Sequence, residues 1–189
     1  MFSELVKKTR SYRNFKGGEA LSPDLLRYLV ELCRFTPSTA NRQPLKFACV
    51  CEKDMCDEIF PCLAWAGYYK ENKPPFKGNE PSGYIIVCYD KTISPESPEV
   101  DVGICAQTIV LGASEKGIGA CMIGSFNKEK VSSLLRLREN IVPRLVIALG
   151  VPNEKVVIVD ETDGDIKYYR DKTNTHFVPK RPLDEIILR

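Results

Sequence analysis

Between Val100 and Lys116, apolar residues fall at Val102, Ala106, Ile109, Val110 and Ala113, with small or apolar side chains at most positions between them. A helix that is apolar on nearly all sides has to be surrounded by other elements. The segment therefore predicts a central core helix and a chain that wraps around it. A second helix is announced by Ser22-Pro-Asp, which supplies an N-cap hydroxyl and a Pro in the first turn, where a missing N–H costs nothing. Leu25, Leu26, Leu29, Val30, Leu32 and Cys33 continue it as a helical stripe that ends before Pro37.

Four β-rich runs alternate with these helices: Phe47 to Cys51, Tyr84 to Tyr89, the stretch after Gly117-Ile-Gly119, and Pro143 to Leu149, closed by Gly150. Lys53 to Phe60 reads as a short helix, and Asn127 caps another that runs to Leu135. Val156 to Arg170 reads as a hairpin around Asp163-Gly164. The Pro- and Gly-rich stretch from Asn72 to Gly83 is a surface loop long enough to form a lid or a binding loop. The pattern predicts one domain over residues 1–189, with an α/β or α+β sheet flanked by helices.

Charge and cysteine usage narrow the function. With 27 Lys and Arg against 25 Asp and Glu, the net charge is +2 and no long block of like charges occurs, so no nucleic-acid face is expected. No run of about 18 apolar residues exists, and Met1 to Arg13 is charged without an apolar leader, so no membrane span and a cytoplasmic setting are expected. The eight cysteines show no C-x-x-C pair, and most lie in apolar runs as small hydrophobes. A metal or iron–sulfur cluster on Cys49, Cys51, Cys56 and Cys62 is the sharper alternative. The single His176 argues against catalytic zinc and against a Ser-His-Asp triad. Gly117-Ile-Gly119 precedes a strand and the next glycine is Gly124, which disfavours a dinucleotide fingerprint.

Three polar clusters remain. Thr9-Arg-Ser-Tyr-Arg places Arg10 and Arg13 around a hydroxyl, a donor set suited to phosphate or a planar carbonyl system; the bland reading is a solvated basic edge. Thr36-Pro-Ser-Thr-Ala-Asn-Arg-Gln-Pro44 gathers hydroxyls and amides just after a helix, fit for sugar-like hydroxyls and ring heteroatoms or simply a capping turn. Lys180-Arg181 supplies positive charge for a phosphate, or for the surface.

In this order the clusters resemble the FMN-dependent nitroreductase family. The matching motifs are Arg10-Ser-Tyr-Arg-Asn-Phe15, Pro37-Ser-Thr-Ala-Asn-Arg-Gln-Pro44, Asp101-Val-Gly-Ile-Cys-Ala-Gln107, Gly117-Ile-Gly119 and Lys180-Arg181, and they span nearly the whole chain. The resemblance implies an α+β fold with a mainly antiparallel central sheet flanked by helices. It also implies an intertwined homodimer with FMN at the subunit interface. Arg10 and Ser11 would meet the FMN phosphate and ribityl chain with Lys180 or Arg181. Arg13 would approach the N1/C2 carbonyl edge, where a cation favours the reduced ring. Pro37, Ser38, Thr39, Asn41 and Gln43 would reach the flavin of the partner subunit, and the backbone at Ile123 and Gly124 would lie near N5.

The activity implied is hydride transfer from NADH or NADPH through flavin N5 to a small electron-poor acceptor such as a nitroaromatic or quinone. Flavin-dependent dehalogenation, flavin breakdown and a non-catalytic flavin-binding redox sensor are the alternatives. Thr9 and Leu45 depart from the residues common at those positions, and the C-terminal arm after Arg181 is expected to be short. Trp65, Tyr68 and Tyr69 either stack on a planar substrate or form a core cluster beneath the loop.

Overall fold

The computed structural model describes residues 1–188. The elements are α1 (Phe2–Lys8), α2 (Pro23–Cys33), β1 (Leu45–Val50), α3 (Lys53–Ile59), β2 (Gly83–Asp90), α4 (Glu99–Glu115), β3 (Gly119–Ile123), α5 (Lys128–Leu134), β4 (Ile141–Gly150), β5 (Val156–Asp160), β6 (Tyr169–Arg170), β7 (His176–Lys180) and α6 (Leu183–Ile186). The main sheet has the order β1-β2-β4-β3, and each neighbouring pair is antiparallel.

Alternation along β2 shows why this sheet lies between two helical layers. Ile85 and Val87 face α2 and α4 together with Leu26, Leu29, Ile109 and Ala113. Tyr84, Ile86 and Cys88 face the opposite layer, where Ile59 of α3 and Val131 of α5 close the second core. A strand covered on both faces needs a continuous apolar run, which Tyr84–Tyr89 supplies. Both expected caps are made: Ser22 Oγ accepts from Leu25 N at 3.2 Å and Asn127 Oδ1 from Lys130 N at 2.9 Å. Gly112 brings α2 and α4 together, since a Cβ there would fall 2.6 Å from Leu32 Cδ1.

One expectation changes in the structure. Val156 to Arg170 is not one hairpin: β5 runs parallel to β7, β6 runs antiparallel to β7, and β7 lies between them in a separate sheet of three strands. Asp163 and Gly164, both at positive φ, turn only the short bridge between Thr162 and Asp165. The Asn72–Gly83 loop is anchored to the N-terminal segment: Asn14 Oδ1 accepts from Phe76 N at 2.9 Å and Phe15 N donates to Asn79 O at 3.0 Å. Among the described residues, no helix is long and apolar enough to cross a membrane, and no three His, Cys, Asp or Glu side chains gather as metal ligands.

Candidate functional site

The Arg10–Phe15 segment lies along the edge of the main sheet as a strap. Ser11 bridges Ala120 of β3 in parallel, and Tyr12 N donates to Ala120 O at 2.9 Å. Glycine is needed beneath it: a Cβ on Gly119 would lie 3.0 Å from the Tyr12 ring, and one on Gly150 2.8 Å from Phe15 Cδ1. Arg10 turns back to donate from Nη2 to Val6 O at 2.8 Å, near the end of α1. Its Nε is buried without a partner, and desolvation lowers the guanidinium pKa from its ordinary value.

Arg13 points instead toward the smaller sheet. Its guanidinium sits 4.7 Å from the centre of the Tyr168 ring, and its Nη1 is 3.3 Å from His176 Nε2. A guanidinium only donates, so Nε2 accepts and the imidazole proton resides on Nδ1. That proton is donated to Tyr69 Oη, 2.8 Å away, which leaves the tyrosine's own O–H free. Burial, reinforced by the Arg13 charge, lowers the His176 pKa to about 4. Below this group Glu154 is the hub. Its carboxylate accepts from the backbone N–H groups of Arg13 and Asn14 and pairs with the Arg170 guanidinium, with both paired side chains buried. Arg170 lies between the Tyr69 and Phe76 rings, 5.9 and 5.7 Å from their centres.

The Thr36–Pro44 turn is held from α4. Asp101 Oδ1 accepts from Thr39 N at 3.0 Å and from Thr39 Oγ1 at 2.8 Å, while its Oδ2 is buried without a partner. Ser38 Oγ accepts from Gln43 N at 3.0 Å, and Gln43 Nε2 donates to Asn41 Oδ1 at 3.1 Å. Ala40, Asn41 and Gln43 all have φ near +50°, a conformation that L residues hold only when their surroundings impose it. The turn thus presents the exposed Asn41 and Gln43 amides from a braced backbone.

Other expected site residues are spread around these two groups. Ile123 is buried in the second core, and the exposed Gly124 has nothing within 4 Å of where its Cβ would stand. Lys180 ends β7, four residues from His176 and so about 13 Å along the strand. Arg181 pairs with Glu185 at 3.2 Å. Among the described residues, no hydrogen bond or ion pair joins Lys180 or Arg181 to Arg10 or Ser11. Trp65 packs on Phe60 against the second core, whereas Tyr68 and Tyr69 pack on Tyr168. Glu154, Tyr168 and Arg170 join the site without a signal in the sequence. Their partners lie far along the chain and no local spacing marks them.

Comparison with known proteins gives a consistent result. The description Nitroreductase family fits a model that matches residues 6–151. An oxygen-insensitive NADPH nitroreductase of Helicobacter pylori is 26% identical, covering 78% of this chain and 85% of its own length. A nitroreductase family protein from Streptococcus pneumoniae superposes with a TM-score of 0.71 at 23% identity, covering 100% of both chains. An FMN-dependent nitroreductase from Clostridium difficile gives a TM-score of 0.66 at 20% identity, covering 89% of this chain and 97% of that one. The family model spans the Arg10–Phe15 strap, the Pro37–Pro44 turn and the helix that braces it, and the chain belongs to the nitroreductase family.

Proposed function

We propose that this protein is an FMN-dependent oxidoreductase that takes reducing equivalents from NADH or NADPH and passes them to an electron-poor acceptor, a nitroaromatic or a quinone. The observation that carries the reading is the strap. Ser11 and Tyr12 are laid against Ala120 of β3, the strand that ends at the open Gly124 position, with Arg10 and Arg13 on either side, and Arg10 keeps a buried, unpartnered Nε. A buried donor without an acceptor is costly, and a phosphate oxygen is the acceptor that suits a guanidinium. The residues present therefore fit FMN.

In this reading Arg10 and Ser11 hold the phosphate and the sugar-like chain, with Lys180 or Arg181 adding charge. Arg13 offers a fixed cation to the ring's carbonyl edge, and its orientation is set by His176 and Tyr168. Ile123 and Gly124 present backbone groups and open space beside the ring. FMN, when bound, supplies the two-electron chemistry, so the protein needs no side-chain acid or base for hydride transfer itself. Its own residues bind, orient and polarise.

Pro37, Ser38, Thr39, Asn41 and Gln43 are assigned to the flavin of a second copy. A homodimer is supported by the apolar surface one chain leaves uncovered: α1 buries no residue, and Phe2, Phe35, Val100, Leu183, Ile186, Ile187 and Leu188 are all exposed. Large apolar side chains left uncovered in this number fit a surface that associates. A cytoplasmic setting fits the eight free thiols.

The test is the visible spectrum of the purified protein, followed by mixing with NADH or NADPH and then a quinone. A flavin spectrum with FMN released on denaturation, fast bleaching and repeated turnover are expected. A colourless protein that added FMN neither stabilises nor quenches would overturn the reading.

A further inference from the structure

Two thiols that the proposed chemistry does not use line one cleft beneath the braced turn. Cys33 closes α2, and Cys105 stands in the second turn of α4. Both are buried, at 8% and 5% exposure. Cys33 Sγ is 3.7 Å from the Cys105 carbonyl oxygen and 3.8 Å from that of Leu29. The Thr36 hydroxyl stands 3.3 Å from Cys105 Sγ. Both thiols help line a cleft of about 300 Å³ that Ser38, Gln43 and Asp101 also line.

We propose that Cys33 and Cys105 form an oxidisable dithiol, which a hydroperoxide entering this cleft converts to a disulfide joining α2 to α4. The roles of the sulfurs differ. The two neighbouring thiols shift each other: Cys105 is drawn below its ordinary pKa, against the effects of burial and the Asp101 charge, whereas Cys33, which faces the Leu29 and Cys105 carbonyl oxygens, is pushed up. Cys105 is therefore the attacking thiolate and Cys33 the resolving thiol, the pairing typical of oxidation-sensitive cysteines. In the first step Cys105 sulfur bonds to the terminal peroxide oxygen, the O–O bond breaks, and the alkoxide leaves as alcohol with the proton Cys105 gave up. In the second, Cys33 sulfur attacks the sulfenic sulfur, the S–O bond breaks, and hydroxide leaves as water with the Cys33 proton. The two thiols lose two electrons and the hydroperoxide gains them.

The modification sits where it bears on the turn. Thr36 hydrogen-bonds the Cys33 carbonyl at 2.7 Å as well as reaching Cys105, and it begins the segment that leads to Thr39. Thr39 is held by Asp101, one helical turn before Cys105 on α4. A bond between the sulfurs fastens both supports of the Asn41–Gln43 turn together. The cleft shares Ser38 and Gln43 with the turn assigned to the flavin, but the readout needs no bound flavin.

The experiment treats the folded full-length protein with cumene hydroperoxide, blocks remaining thiols with N-ethylmaleimide and maps the peptides without reduction. A Cys33–Cys105 cross-linked peptide, loss of two of the eight thiols and reversal by dithiothreitol are expected. In Cys33→Ser the cross-link disappears and dimedone captures Cys105; in Cys105→Ser neither product forms. Recovery of Cys33 and Cys105 as free thiols overturns the proposal, whether or not the exposed Cys49 or half-buried Cys51 has been oxidised. The wild-type map decides the question even if a serine variant fails to fold.

Discussion

His176 Nε2 accepts from Arg13 Nη1 at 3.3 Å, so an imidazole near the C-terminal end of the chain fixes the position of a guanidinium in the N-terminal strap. The arrangement requires a neutral ring. Burial acts first, and Arg13 and Arg170 add to it, while Glu154 opposes; together they hold His176 at about 4, against 6.5 for a free imidazole. Because His176 is the only histidine, a single imidazole resonance reports it. It should keep the Nδ1–H tautomer and show no titration between pH 8 and pH 5. The linkage has a definite sign. The unfolded chain binds the proton more tightly, so the stability of the neutral ring is fully present above pH 6.5 and is lost as pH falls toward 4. The loss is on the order of 3 kcal/mol. Urea unfolding at pH 7 and pH 4.5 should show a smaller acid loss for His176→Gln than for wild type; equal losses would contradict it.

Glu154 and Arg170 form a buried pair, with side chains 2% and 8% exposed. Removing one partner of such a pair leaves an uncompensated buried charge, a cost of about 3–5 kcal/mol. Glu154→Gln is expected to lose stability in that range, because it also weakens the acceptor for the Arg13 and Asn14 backbone N–H groups. Glu154→Gln combined with Arg170→Met should recover part of the loss. A change below about 1 kcal/mol in denaturant melts, a value typical of exposed ion pairs, would show that the pair behaves as a surface contact.

Gly119 belongs to the Gly117-Ile-Gly119 turn, and the structure gives its second glycine a steric reason. A Cβ at 119 would lie 2.8 Å from Pro152 Cγ and 3.0 Å from the Tyr12 ring. Neither a proline nor a packed ring yields easily, so Gly119→Ala should cost about 1–3 kcal/mol through overpacking. It should also push Ser11 and Tyr12 away from Ala120. FMN affinity measured by fluorescence quenching should fall even where the variant is fully folded by circular dichroism. Unchanged affinity and an unchanged melting temperature would remove Gly119 from the support of the strap.

Local signals were the readable ones. Ser22 and Asn127 announce their caps because the acceptor and the N–H it serves are three residues apart, and α4 announces itself because an apolar helix has only one place to go. β5 reads as half of a hairpin because its partner β7 begins twenty residues later and pairs in parallel, and no turn chemistry records that pairing. The same limit hid Glu154. Its contacts with Arg13 and Arg170 cross the chain, and a carboxylate after a strand end looks like any other surface acid. The Arg10–Phe15 and Pro37–Pro44 motifs were legible as chemistry. How Arg13 turns toward His176 and Tyr168 was not, since neither residue lies near it in sequence.

Arg10 and Arg13 should separate binding from redox tuning. Arg10 offers a buried, unpartnered Nε, and loss of a charge-assisted phosphate contact costs about 1.5–3 kcal/mol. Arg10→Ala is thus expected to weaken FMN binding roughly 10- to 100-fold with little change in reduction potential. Arg13→Ala should lower the potential when measured with FMN saturated, because a cation at the ring's carbonyl edge favours the reduced form. It should also raise the His176 pKa, by removing a positive neighbour. Equal potentials in wild type and Arg13→Ala would take Arg13 out of the electronic role while leaving its contact with His176 intact.

The shared site makes a prediction that no single-chain site makes. Asn41 and Gln43 are exposed on a turn braced from α4, while Arg10 and Arg13 belong to the strap on the main sheet, so the two groups serve one flavin if a second copy supplies the turn. Mass-action linkage then requires FMN to strengthen the dimer and dilution to weaken FMN binding. Complementation tests it directly. Asn41 has φ of +52°, so Asn41→Gly removes the amide and keeps the backbone conformation, which an alanine would strain. Arg10→Ala and Asn41→Gly homodimers carry a lesion in every site. A heterodimer of the two carries both lesions in one site and neither in the other, so mixing the inactive variants under exchange should restore part of the activity and tight FMN binding. Heterodimers verified by native mass spectrometry that recover neither, or a monomer that binds FMN tightly, would place the whole site within one chain.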